Sequence, residues 1–196
     1  MRIISVKRAM IILLVIGIMV VVSGCVRYPG EPGPEPGEID YQLKITVEVK
    51  GEINTDEGRY YIGLDTDGQS GIGLGSDIEY WEGNYYYVKF DSMGCYLYPK
   101  EEGSTISPLS LSYSISDMES KLQITIALND LGNPEESIGI NVVTTDSDGS
   151  TIYDYLEDNF YINTDLYSEG ESISSDDLKD NEKNFDIKEV KAEITN

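Results

Sequence analysis

Residues 43–51 read LKITVEVKG, and this stretch sets the expected fold. Its apolar residues, Leu43, Ile45, Val47 and Val49, alternate with polar neighbours. Successive side chains of a β-strand point to opposite faces, so this period of two predicts a strand with one apolar face and one polar face.

The same alternation recurs along the chain between clusters of turn residues. The segments are YYIGLD (60–65), LSYSIS (111–116), KLQITIAL (121–128), IGINVVTT (138–145) and NFYINT (159–164). No segment offers a convincing apolar stripe at helical spacing. Many short strands between turns indicate a sandwich or a barrel, and we expect an all-β antiparallel sandwich, immunoglobulin-like or jelly-roll-like, of about nine or ten strands.

The N-terminus reads as a targeting segment rather than as part of the fold. Arg2, Lys7 and Arg8 precede an apolar run over 10–22. The following Val-Ser-Gly-Cys25 resembles the lipobox of prokaryotic lipoproteins, which implies cleavage after residue 24 and lipid on the Cys25 sulfur. A plain signal peptide and an uncleaved membrane anchor are the alternatives, although the run is short for a span. All three place the remainder outside the cytoplasmic membrane, at the cell surface.

Composition excludes several function classes. The chain has 14 basic and 36 acidic residues and a net charge of −22. Removing the three basic residues before Cys25 leaves 11, so the mature part carries −25. Such a charge repels nucleic acid, while the absence of histidine excludes Ser-His-Asp catalysis and imidazole metal sites. If Cys25 carries lipid, Cys95 has no disulfide partner, and its surroundings predict a small buried residue.

Residues 60–86, YYIGLDTDGQSGIGLGSDIEYWEGNYY, resemble the middle of the DOMON-like and family-nine carbohydrate-binding-module-like β-sandwiches. The resemblance covers about Leu43 to Asp165. It implies a sandwich that binds sugars in some members and haem or redox groups in others, often with bound calcium. Haem is not expected here, because the chain has no histidine to ligate it.

The domain organisation follows from composition. We expect a signal peptide over 1–24, a Pro/Gly/Glu spacer over 25–38 and the sandwich over 39–165. An acidic, serine-rich linker over 166–184 precedes a strand-like segment over 185–196. This last segment is predicted to supply a missing edge strand of the sandwich. The alternatives are exchange with a second copy in a swapped dimer, or a free remnant of another domain.

Asp65, Asp67 and Asp77 are the candidate metal ligands. Asp65 and Asp67 lie two residues apart at a strand end, a glycine-rich loop follows, and Asp77 could return to the site. Calcium takes six to eight oxygen ligands from carboxylates and carbonyls, so the pattern predicts a calcium site. The alternative is a turn whose Asp and Gly residues serve only the backbone. Asp146 and Asp148 in TDSDGS pose the same choice.

Trp81, Tyr85, Tyr87 and Glu79 are the candidate ligand-binding residues. With a three-residue loop over 82–84, a hairpin would place these four residues on one solvent-exposed face and Ile78, Tyr80 and Val88 on the face toward the core. Flat aromatic rings suit the C–H faces of sugars, and carboxylates accept hydrogen bonds from their hydroxyl groups. The alternative is ordinary tyrosine-rich packing with Trp81 under a loop.

The expected function is therefore a lipid-anchored, non-catalytic extracytoplasmic binding module, stabilised by calcium, with a glycan or a surface protein as partner. A structural acidic lipoprotein without a specific ligand is the main alternative. An accessory part of a glycan-degrading enzyme system is the third.

Overall fold

Twelve strands, one short α-helix and one 3-10 helix make up the described part of the chain. The computed structural model describes residues 40–67, 74–100, 107–116, 118–165, 167–173 and 182–196. The predicted signal peptide, Cys25 and the spacer lie outside these residues, as do 68–73 of the Asp-Gly loop. The strands are β1 (Gln42–Val49), β2 (Gly58–Asp65), β3 (Tyr86–Asp91), β4 (Gly94–Tyr98), β5 (Leu109–Ser110), β6 (Ser112–Ser116), β7 (Lys121–Ala127), β8 (Ser137–Asp146), β9 (Ile152–Tyr155), β10 (Phe160–Asn163), β11 (Glu169–Ile173) and β12 (Ile187–Thr195).

The strands form two antiparallel sheets. The first has five strands in the order β11, β12, β1, β7, β6. The second has seven, with β10, β8, β2, β3, β4 and β5 in order and β9 also paired to β8. This confirms the predicted all-β sandwich. The strands number twelve rather than nine or ten because β5 and β9 are very short and β11 lies in a stretch with little apolar residue content.

The core lies between the sheets and follows the period of two that the sequence shows. On β1 the alternate residues Leu43, Ile45, Val47 and Val49 are buried, and their neighbours are only half-buried. β1 pairs with β7 on one side and β12 on the other. Each such aliphatic side chain contributes about 1.5–3 kcal/mol on full burial, so the centre of the first sheet is a main source of stability.

The C-terminal segment forms an interior strand of the first sheet. β12 pairs with β1 so that Val190 lies opposite Val47 and Ile194 opposite Leu43. The prediction of an edge strand is wrong in its position, because β11 covers the other side of β12. β11 also corrects the interpretation of 166–184 as linker throughout. Its residues have little apolar character, and pairing with β12 rather than burial accounts for the strand.

The predicted aromatic hairpin is also wrong, because its first strand is the helix α1 (Ile78–Trp81). The Asp77 side chain caps this helix by accepting the Tyr80 N–H at 3.4 Å. The chain then turns at Gly83, whose φ of 80° favours glycine. Asn84 and Tyr85 N–H groups both donate to the Trp81 carbonyl, which completes the turn into β3.

Candidate functional site

A second hydrophobic cluster lies on the outer face of the seven-stranded sheet, beneath the segment 74–85. Its buried members are Tyr61, Leu74, Trp81, Tyr87 and Val143. The segment 74–85 forms a cover over this face of the sheet. The cover explains why β2 and β8 are buried on both faces, unlike β1.

Gly63 lets the cover approach the sheet. A Cβ at this position would stand 2.8 Å from Leu74 Cδ2 and 3.0 Å from the Trp81 ring. Opposite Gly63 on β8, the buried Asn141 donates from Nδ2 to the Leu74 carbonyl at 2.6 Å. The space above Gly63 on β2 and the hydrogen bond from Asn141 on β8 therefore hold Leu74, the start of the cover, against the sheet. Pattern analysis missed Asn141, because an Asn within IGINVVTT carries no signal of a partner far along the chain.

The four predicted ligand-binding residues do not share one wet face. Trp81 is fully buried, and its indole N–H donates to the Gly75 carbonyl at 3.0 Å. Tyr87 is buried, Tyr85 is half-buried and Glu79 is exposed. Trp81 is therefore a structural residue of the outer cluster, and the prediction that it forms an exposed binding platform is wrong.

An open groove of about 280 Å³ lies beside this cover. Its lining residues are Arg59, Tyr61, Ile78, Glu79, Glu82, Tyr87, Lys89, Tyr98, Asp148 and Gly149. Tyr87 and Tyr98 stack with their ring centroids 4.7 Å apart and their planes within 3° of parallel. The groove thus keeps two predicted residues, Tyr87 and Glu79, and adds Tyr61 and Tyr98. Tyr98 could have been found, because Tyr96 and Tyr98 alternate with the buried Cys95 and Leu97.

The cations of the groove are compensated by its own groups. Lys89 Nζ lies 3.1 Å from Asp91 Oδ2 and 5.7 Å from the centroid of the Tyr98 ring. Desolvation lowers the pKa of Lys89, but the interactions with Asp91 and Tyr98 together outweigh it and raise the pKa, so the amine stays charged. Arg59 donates to the Asp148 carbonyl at 3.0 Å. Glu79 and Glu82 are exposed at the rim. This arrangement suits a neutral ligand with hydroxyl groups better than an anion.

One wall of the groove is the TDSDGS turn. The Asp146 carboxylate accepts the Ser150 N–H at 2.8 Å and the Thr151 N–H at 3.2 Å. Desolvation would raise the pKa of Asp146, but the hydrogen bonds from Thr151 and Ser150 outweigh it and hold the pKa below its usual range. Gly149 completes the turn with a φ of 84°. The carboxylate thus organises the backbone, as the turn alternative predicts.

The three candidate calcium ligands have separate local contacts. Asp65 is buried at the end of β2 and accepts the Asp67 N–H at 3.1 Å. Asp67 is exposed and forms an ion pair with Lys100, and Asp77 caps α1. Within the described part of the chain, no group of three or more acidic or cysteine side chains is placed to hold a metal ion. Since the loop carbonyls of 68–73 lie outside that part, calcium stays a prediction.

A wider cleft of about 590 Å³ lies over β1, β11 and β12. Charged side chains dominate its lining, and they pair with one another, as in the 2.6 Å contact between Lys44 and Glu193. Among the described residues that line this cleft, none is aromatic. Although this cleft is larger, the tyrosine groove is the better candidate, because it offers aromatic rings and the exposed carboxylates of Glu79 and Glu82 on one surface.

Cys95 is buried in the core between the sheets, as expected. Burial raises the pKa of its thiol to about 12. A thiol in this state is not a nucleophile at neutral pH.

No family model, curated protein or solved structure matches the chain. The resemblance to DOMON-like and carbohydrate-binding-module-like sandwiches therefore stays a prediction that its motifs alone carry. Among the described residues, no helix has the length and apolar character needed to cross a membrane.

Proposed function

We propose that the protein is a non-catalytic binding module that takes a glycan in the tyrosine groove. The observation that carries this proposal is the stacked pair of Tyr87 and Tyr98 in an open groove rimmed by Glu79 and Glu82. The apolar C–H face of a sugar ring packs on an accessible aromatic ring, and the rim carboxylates accept hydrogen bonds from its hydroxyl groups. A neutral glycan also avoids the repulsion that an anion meets near a chain of net charge −22.

The non-catalytic part of the proposal rests on the residues available. The chain has no histidine, and burial raises the pKa of the Cys95 thiol, so histidine-based triads and thiol catalysis are not available to it. Incubation with oligosaccharides, followed by product analysis, tests this. We expect no turnover, and released sugar would contradict the proposal.

The location is proposed from the N-terminal sequence. We infer that lipid on Cys25 anchors the module at the extracytoplasmic face of the membrane, with the Pro/Gly/Glu segment as spacer. Cys25→Ser should yield an unprocessed or released protein. If this variant is processed and retained like wild type, the lipid anchor is wrong.

Calcium is proposed as a stabilising ion at Asp65 and Asp67. At a calcium concentration ten times the dissociation constant, linkage would add about 1.4 kcal/mol of stability. The test compares thermal melts in chelator and in millimolar calcium for wild type and for the double variant Asp65→Asn, Asp67→Asn. A gain in wild type that is absent in the variant is expected, and equal gains would show that the loop is only a turn.

A glycan array tests the ligand. Wild type, Tyr98→Ala and Glu82→Gln should be compared on the same array, with Tyr155→Ala as a matched control. Tyr155 is exposed and its partner Val143 belongs to the outer cluster, but Tyr155 does not line the groove. We expect binding by wild type and the control that both groove variants weaken. Equal binding by all four proteins would show that the glycan binds outside the tyrosine groove. If wild type binds no glycan, the alternative of a structural acidic surface protein is favoured.

A further inference from the structure

The outermost strand of the first sheet, β6, is open to solvent. Within the described part of the chain it pairs only with β7, and all five of its residues are exposed. The strand at the other side of this sheet, β11, carries Glu169 and Glu171. Charged side chains on an edge strand oppose pairing with another chain, because they would have to lose their hydration.

β6 has no such protection. Residues 104–116 read STISPLSLSYSIS, thirteen residues without one charge in a chain that is 26% charged. Pro108 precedes β5, and neither β5 nor β6 contains a proline. An uncharged edge with unpaired N–H and C=O groups is a template for a further strand.

The side chains of β6 are also incompletely covered. Tyr113 and Ile115 lie opposite Ile124 and Leu122 of β7, so they point to the core side. They are nevertheless 48% and 40% exposed, and Met118 in the following turn is 92% exposed. The apolar side of the sandwich therefore ends at β6 without a covering strand among the described residues.

We propose that β6 pairs antiparallel with β6 of a second copy of this chain. Ser-Tyr-Ser-Ile-Ser is nearly symmetric about Ser114, so a two-fold axis there places Tyr113 of one copy opposite Ile115 of the other and the serines opposite one another. The two sheets of five join into one of ten strands. Two copies that each carry a charge of −22 repel, and this uncharged edge lets them meet with the least repulsion.

A second copy fits this edge better than the chain's own spacer. The segment VRYPGEPGPEPGE at 26–38 contains four prolines, which have no N–H to donate, and three glutamates. It cannot form a continuous ladder with β6, whereas β6 itself can.

Sedimentation equilibrium of the full chain in detergent tests the proposal. Wild type should dimerise with rising concentration. Ser114→Lys should weaken the dimer by about fivefold or more, because the axis would bring two lysines together. Asn163→Lys is the matched control, because Asn163 is an uncharged, exposed residue that points away from the core on β10, the outermost strand of the second sheet. This variant should dimerise as wild type does, and thermal melts of all variants should show an intact fold.

A pair of variants with opposite charges at Ser114 gives the decisive comparison. Ser114→Glu alone should also be a weak dimer, but an equal mixture of Ser114→Lys and Ser114→Glu should recover association. A monomeric wild type, or a mixture that stays as weak as its components, would overturn the proposal. Equal loss in Asn163→Lys would do so as well, since it would place the contact outside β6.

Discussion

Gly63→Ala is the sharpest probe of how the cover lies on the outer face of the second sheet. The new Cβ would stand 2.8 Å from Leu74 Cδ2 and 3.0 Å from the Trp81 ring. Ordinary carbon contacts need about 3.5–4.0 Å, so the cover must retreat by roughly 0.7–1.2 Å. Overpacking of this kind costs about 1–3 kcal/mol, less about 0.5–1 kcal/mol gained because alanine is less flexible than glycine in the unfolded chain.

The assay uses Trp81 as the only tryptophan of the chain. We expect its fluorescence emission to shift to longer wavelength and its quenching by acrylamide to rise, as water reaches the loosened ring. The melting temperature should fall by about 2–4 °C for each kcal/mol lost. Gly75→Ala is the matched control in the same segment, because a Cβ there meets nothing within 4 Å. If Gly63→Ala has the emission and melting temperature of the control, the close packing of Trp81 on the sheet is wrong.

Two further predictions concern the first sheet. Glu48 on β1 forms ion pairs with Lys188 of β12 and Lys121 of β7, and its hydrogen bond to Lys188 is the main cause of its lowered pKa. The stability that these ion pairs add is therefore complete above pH 4.5 and is lost as the pH falls through the pKa of Glu48 in the folded protein. In denaturant titrations, Glu48→Gln should lower the free energy of unfolding by about 0.5–1 kcal/mol at pH 7 and by little at pH 3. Ile194→Ala should cost about 2–5 kcal/mol in the same assay, because Ile194 is fully buried on an interior strand. The exposed Ile152→Ala should be near neutral, and similar losses in both would contradict the placement of β12.

The sequence predicted the sheets well because their signal is local. On β1 and β7, each apolar residue of the alternating pattern is buried and each polar one is half-buried. β11 could not be predicted in the same way. Its Glu, Gly and Ser residues have poor strand propensity, and the strand exists because β12 presents an unpaired edge to it.

The candidate site was only partly predictable, because tertiary contacts determine which of its residues are buried and which line the groove. Ile78–Trp81 alternates as a strand would, yet capping by Asp77 and the space over Gly63 favour a helix that buries Trp81. Tyr87 and Glu79 were identified from their alternation and do line the groove. Arg59 and Asp148 come from loops and strands far apart in sequence, and no local pattern indicates that they meet.

The affinity of the groove for a glycan tests the central proposal most directly. Isothermal titration should use the strongest ligand from the array with wild type, Tyr98→Ala and Tyr155→Ala, each in chelator and in calcium. We expect Tyr98→Ala to lose about tenfold in affinity, or about 1.4 kcal/mol, because its half-buried ring is the more accessible member of the stacked pair. Tyr155→Ala should keep the wild-type affinity. A Tyr98→Ala protein that folds normally and binds as tightly as wild type would contradict the account.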